Sequence, residues 1–181
     1  KVTNIGDYAF DNCRNLVSVT IPDSVISIGN HAFSYCESLQ SIIIPNSVKS
    51  IGESAFSGCS SLENAVIGDG VKEINNYTFN NCSSLTDVKI GKSVTSVGKY
   101  AFNNCAKLLS IKIPQATKAI KNYAFDGCKG LKTLIVEDRT TALELGSNGS
   151  SPLFVDCSFD SVYIGGEIKY KTSSRYGYSP F

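Results

Sequence analysis

Six cysteines recur at a constant 23-residue step: Cys13, Cys36, Cys59, Cys82, Cys105 and Cys128. The same step carries Phe10, Phe33, Phe56, Phe79, Phe102 and Phe125, and Leu16, Leu39, Leu62, Leu85, Leu108 and Leu131. One aliphatic column runs Ile21, Ile44, Ile67, Ile90, Ile113 and Val136; another runs Ile5, Ile28, Ile51, Ile74, Val97 and Ile120. Five columns held in register leave one architecture: each unit is a coil, and equivalent side chains stack along an axis. A single coil cannot stand alone. Its roughly eight core residues are worth about 1.5–3 kcal/mol each on full burial. Backbone ordering costs about 1–2 kcal/mol for every residue of the coil. Neighbours must therefore cover both of its faces.

Within a unit, Leu39, Ile42 and Ile44 form an L-x-x-I-x-I stretch, which predicts a short strand with alternate side chains in the core. Pro22, Pro45 and Pro114, or Gly68 and Gly91, end it. Val48 and Ile51 lead a second extended segment. The A-F-x-x-C piece is too short for a free-standing helix and reads as a single helical or 3-10 turn. The residue before each cysteine is Asn12, Tyr35, Gly58, Asn81, Asn104 or Gly127. Asn and Gly tolerate the left-handed backbone, so a positive φ is expected there. The expected fold is a repeat solenoid: a right-handed superhelix with a parallel sheet of short strands, one per 23-residue coil, and short helical or 3-10 turns. Strands about 4.8 Å apart give six coils a span on the order of 30 Å.

Residues 1–136 read as six regular repeats, the first partial. Phe154 and Cys157 keep the F-x-x-C spacing but arrive late: the regular step from Phe125 and Cys128 leads to Asn148 and Ser151. Residues 137–181 thus read as an irregular seventh repeat with an insertion, its strand at Val162-Tyr163-Ile164, followed by a truncated eighth in the same solenoid. The eighth is suggested by Tyr178-Ser179-Pro180-Phe181, which echoes Ser151-Pro152-Leu153-Phe154. The chain lacks Met and opens at Lys1 inside the pattern, as a piece of a longer protein would.

Composition narrows the function. A formal net charge of +1 gives no basic face for phosphates, so nucleic acid is not an expected partner. No apolar run approaches the roughly 18 residues of a membrane span. No G-x-x-x-x-G-K, no G-x-S-x-G and no recurring carboxylate pair is present, so no cofactor is implied. The single histidine, His31, shares a column with Tyr8, Ser54, Tyr77, Tyr100 and Tyr123. A column that accepts Tyr, His or Ser is a partly exposed position, not a tuned base. No catalytic residue emerges, and the chain does not read as an enzyme.

The cysteines are one coil apart, so they do not converge as metal ligands. Neighbouring coils are close enough for disulfides, but in-register side chains point in parallel and favour no particular pair. The favoured reading of Cys13, Cys36, Cys59, Cys82, Cys105 and Cys128 is a structural ladder of buried thiols, each a small apolar filler with a weak S–H donor.

Two surfaces remain for binding. One is the outward face of the sheet: Thr20, Ile43, Val66, Asp87, Lys89, Lys112 and Ile135, interleaved with Ser18, Ser41, Asn64, Ser110 and Thr133. Solenoids commonly bind along such a face; the alternative is a merely solvated sheet. The other is the aromatic edge of Tyr77, Tyr100 and Tyr123, which either contacts a ligand or covers the joints between coils. Asn76-Tyr77-Thr78 and Asn148-Gly149-Ser150 match glycosylation acceptors, a pattern frequent by chance.

The unit Ile28-Gly29…Ala32-Phe33…Cys36…Leu39…Ile42…Ile44-Pro45 resembles the BspA-like, or Treponema pallidum-type, leucine-rich repeats, with the pattern I-G-x-x-A-F-x-x-C-x-x-L-x-x-I-x-I-P. The resemblance is close over residues 1 to about 136 and loose over 137–181. The final segment resembles those of gut Bacteroidetes members. The resemblance implies a bacterial cell-surface or secreted module that adheres to protein or glycan partners, with no catalytic residues. A structural spacer displaying another domain is the alternative. No Asn column follows the strand, as it does in the commonest leucine-rich repeats; the Cys column stands nearest to it.

Overall fold

A computed structural model describes residues 1–146 and 153–170. From the second coil onward each coil contributes two strands where the sequence predicts one, while the first has only the short strand Asn4–Ile5. The long strands are Ser41–Ile44, Asn64–Ile67, Asp87–Lys89, Ser110–Ile113, Thr133–Val136 and Ser161–Ile164. The short ones are Asn4–Ile5, Ser27–Ile28, Ser50–Ile51, Glu73–Ile74, Ser96–Val97, Ala119–Ile120, Leu143–Leu145 and Ile168–Tyr170. The second extended segment, led by Val48 and Ile51, is what becomes the short strand. All pairing is parallel and mostly one full coil apart: Ser41 sits beside Asn64, and Asn64 beside Asp87. The long column divides into two hydrogen-bonded runs of three strands, the short column into runs of three and five.

The A-F-x-x-C segment is not helical, and this corrects the expected helical or 3-10 turn: no helix occurs among the described residues. The backbone supplies the reason. Positive φ occurs before each cysteine, at Asn12 (57°), Tyr35 (54°), Gly58 (74°), Asn81 (59°), Asn104 (58°) and Gly127 (72°), as expected. It occurs again one short turn earlier, at Tyr8 (58°), His31 (53°), Ser54 (56°), Tyr77 (57°), Tyr100 (56°) and Tyr123 (60°). The stretch between the two left-handed positions is too short for a right-handed helical turn to propagate. The amides divide their work instead. His31, Phe33 and Tyr35 donate to the next coil at Glu53, Ala55 and Ser57, while Ser34 and Cys36 donate back to His31 and Phe33. The turn thus bonds to its neighbour as a strand would.

Alternation fills the core. In Ser41–Ile44, Ile42 and Ile44 are buried while Ser41 and Ile43 face out. The phenylalanines form one continuous stack, Phe10 through Phe125 and on to Phe154, with ring centroids 5.0–5.5 Å apart and planes within 8°. Coils approach so closely beside the short strands that a Cβ on Gly52 would lie 2.4 Å from the Asn30 amide nitrogen. That contact leaves no room for a side chain at Gly52, although Asn75 and Lys121 occupy the same column in later coils.

The last regular coil gives way in steps. Ala119 pairs with Glu144, where the regular step would bring Ala142, and Thr133 pairs with Ser161, where it would bring Asp156. The Phe125–Phe154 stack nevertheless continues at 5.5 Å, so the core column survives the change of step. The proposed eighth repeat at Tyr178–Phe181, Asn148-Gly149-Ser150, and Ser151-Pro152 lie outside the described residues.

Candidate binding surface

The cysteine column sits inside the coil, against the phenylalanine stack. Cys36, Cys59, Cys82, Cys105 and Cys128 are buried, Cys157 half-buried and Cys13 exposed. Each buried thiol donates to a phenylalanine carbonyl of the preceding coil, as Cys82 Sγ does to Phe56 O at 3.2 Å and Cys128 Sγ to Phe102 O at 3.1 Å. Cys13 is the exposed member of the column. Burial pushes Cys36 up to about 11 and Cys157 up to about 12, and Cys59, Cys82 and Cys105 further still. A thiol held protonated in an apolar stack is a poor nucleophile and a poor metal ligand. Among the described residues, no three His, Cys, Asp or Glu side chains are grouped to hold a metal ion.

Tyr77, Tyr100 and Tyr123 stack face to face, with centroids 5.0 and 4.9 Å apart and planes within 10°. Tyr8 and His31 form a second stack at 4.9 Å, and Ser54 interrupts the column between the two. Partial desolvation, together with Tyr123 and Tyr77, raises the Tyr100 hydroxyl above its usual range. Tyr100 is covered on both faces, Tyr77 and Tyr123 on one each, and all three are half-buried. Asn76 at the glycosylation-like triplet is engaged, its Oδ1 accepting the Lys99 amide at 3.0 Å.

The outward face of the long strands is open. Ile43 is 67% exposed, and Thr20, Asp87, Lys89 and Lys112 are exposed as well, with Val66 and Ile135 half-buried. Strand register sets Ile43 beside Val66, Val66 beside Lys89, Lys112 beside Ile135, and Ile135 beside Tyr163. Tyr163 extends the row by one coil, beyond the face expected from the sequence. Shallow troughs run along this row. One, of about 520 Å³, is lined by Asp69, Asp87, Lys89, Lys92, Lys112 and Glu137 among others. A second, of about 400 Å³, takes in Ile43, Val66 and Lys89.

The polar rim is partly self-paired. Lys112 Nζ lies 2.8 Å from Glu137 Oε1, and Lys92 Nζ lies 3.4 Å from Asp69 Oδ2. The Lys112 ammonium and the Gln115 amide hold the Glu137 carboxyl below its usual range. The Lys92 backbone amide does most to lower Asp69, with a small contribution from Lys89. Tyr163 donates its hydroxyl proton to Asp138 Oδ1. Lys89 enters no ion pair among the described residues.

Two features escaped sequence reasoning. Side-chain oxygens cap the amides of the following coil: Asp7 caps Asn30, Asn30 caps Glu53, Asn46 caps Asp69, and Asp69 caps Lys92, at 2.7–2.9 Å. Their 23-residue spacing was the available signal. Arg139, buried in the irregular coil, donates to Thr117 O at 2.6 Å, Pro114 O at 3.0 Å and Glu137 O at 3.3 Å. Nothing in the repeat pattern marks it, since it lies where the step changes.

Stacked coils, parallel strands and an open sheet face define a leucine-rich-repeat solenoid. Residues 3–132 and 95–178 match the family model described as the BspA type leucine rich repeat region, and the chain belongs to that family. Its backbone is similar to a leucine-rich repeat protein from Eubacterium ventriosum (28% identity, TM-score 0.75), covering 87% of this chain and 44% of that one. It is also similar to one from Bacteroides ovatus (29% identity, TM-score 0.64), covering 81% and 43%. The T. pallidum leucine-rich repeat protein shares the fold at 23% identity and a TM-score of 0.62, over 78% of each chain. The chain thus spans less than half of two of these three relatives. They come from three genera, so they fix the family and not the source. No curated protein matches the chain in sequence.

Proposed function

We propose that the chain is a non-catalytic bacterial surface or secreted binding module, which engages a protein or glycan partner through the outward face of its long strands. One observation carries the choice of face: Ile43, Val66, Lys89, Lys112, Ile135 and Tyr163 form a row of apolar, basic and aromatic side chains over shallow troughs. Family membership supports a binding role in general. The tyrosine edge is the weaker candidate. Sugar recognition uses a ring face, and stacking at about 5 Å takes up both faces of Tyr100 and one face each of Tyr77 and Tyr123. No helix among the described residues is long and apolar enough to cross a membrane.

The test is an array of host matrix proteins and glycans probed with the chain and two variants. Ile43→Asp alters the exposed sheet face, and Tyr100→Asn alters the edge with a residue that tolerates positive φ. The proposal expects binding that Ile43→Asp abolishes and Tyr100→Asn preserves. The reverse pattern moves the site to the edge. An array on which the unmodified chain binds nothing favours a spacer that displays another domain.

A further inference from the structure

The chemistry along the sheet-face row is not uniform. Ile43 and Val66 lie at one end, Ile135 and Tyr163 at the other, and Lys89 and Lys112 between them. Lys112 is already neutralised by Glu137 at 2.8 Å. Lys89 is exposed, lines two of the troughs along the row and enters no ion pair among the described residues. With strands about 4.8 Å apart, the row from Ile43 to Tyr163 spans on the order of 24 Å. An extended peptide covers that length with about seven or eight residues.

We propose that the row is a docking site for an extended protein segment with a carboxylate at its centre and aliphatic or aromatic side chains on either side. Lys89 pairs with the carboxylate, while the Ile43–Val66 and Ile135–Tyr163 ends hold the flanking side chains. This rests on the sheet-face reading above and specifies its partner. Charge complementarity carries the choice of occupant. The 520 Å³ trough sets Lys89, Lys92 and Lys112 against Asp69, Asp87 and Glu137, so its rim has no net charge. A polyanion such as a sulfated glycan meets as much repulsion as attraction there. A segment with one acidic group finds in Lys89 a cation that no ion pair engages among the described residues. The flanks also favour peptide over sugar, since three of the four flanking side chains are aliphatic and offer no ring face to a pyranose.

Linear peptides of eight randomised positions, displayed on phage and panned on the folded chain, test this directly, with heparin as the polyanion control. The enriched sequences are expected to place Asp or Glu between apolar residues. Lys89→Ala should weaken their binding at least about tenfold, the loss of one charge-assisted contact. Glu137→Gln should tighten it, because Lys112 is then released to the ligand. That gain is not the result of a damaged fold, which circular dichroism of each variant checks. Enriched peptides without a carboxylate, binding indifferent to Lys89→Ala, or tighter binding to heparin than to any peptide would overturn the assignment. If Ile43→Asp still abolishes binding while Lys89→Ala does not, the sheet face stands and only the acidic segment fails. If neither matters, the sheet-face reading fails with it.

Discussion

Replacing Phe79 by alanine probes what holds the coils together. Its side chain is fully buried and stacked on both sides, at 5.3 Å from Phe56 and 5.4 Å from Phe102. Truncating such a ring costs about 3–5 kcal/mol through lost transfer energy and the cavity left behind. Each aromatic pair contributes about 0.5–1.5 kcal/mol beyond area alone, which places Phe79→Ala towards the upper end. Phe10 has the same neighbours in sequence pattern but is 38% exposed and stacks only on Phe33, at 5.0 Å. Phe10→Ala should therefore cost about 1–2 kcal/mol. Urea unfolding followed by far-ultraviolet circular dichroism measures both. The central substitution should also broaden or split the transition, since each coil is stabilised chiefly by its neighbours. Costs that differ by less than about 1 kcal/mol would refute the claim that stability accumulates through the stack.

The thiol column makes stability depend on alkaline pH. Cys59, Cys82 and Cys105 are raised by burial, so the folded chain keeps protons that the unfolded chain releases above about pH 8.5. Their contribution is complete below that pH and is lost above it at up to about 1.4 kcal/mol per pH unit for each thiol; Cys82→Ala should flatten the slope in urea titrations above that pH. In native buffer a thiol reagent should label Cys13 first and leave the five buried cysteines unreacted until denaturant is added; simultaneous labelling would contradict the ladder. At Asn81, where φ is 59°, alanine should be about 1–2 kcal/mol less stable than glycine by thermal unfolding, reflecting the cost of a left-handed backbone. Arg139→Ala leaves the carbonyls of Thr117 and Pro114 without their donor and should lower stability by about 1–3 kcal/mol in the same assay.

The columns at Phe, Cys, Leu and Ile were legible because stacking imposes one environment on every member, and the environment selects the residue type. Turn geometry was only half legible. Asn and Gly advertise the left-handed position before every cysteine of the column but Cys36, whereas tyrosine at the second such position does not, and with both in place the expected helical turn becomes a strand-like one. The long-strand face was readable from parity, and Ile43, Lys89 and Lys112 indeed face outward. Their pairing was not: the repeat sets Lys112 beside Ile135, and only the strand end beyond brings Glu137 within reach of the ammonium.

The central claim is that partners bind to the long-strand face. Covalent footprinting of the chain, free and bound to its best ligand from the matrix-protein and glycan array, tests it most directly. Lysine acetylation reads Lys89 and Lys112 on the face, and tyrosine nitration reads Tyr77, Tyr100 and Tyr123 on the edge. Protection of the two lysines and of Tyr163 on the same row, with unchanged labelling of Tyr77, Tyr100 and Tyr123, is the predicted result. Protected edge tyrosines with freely acetylated lysines would contradict it.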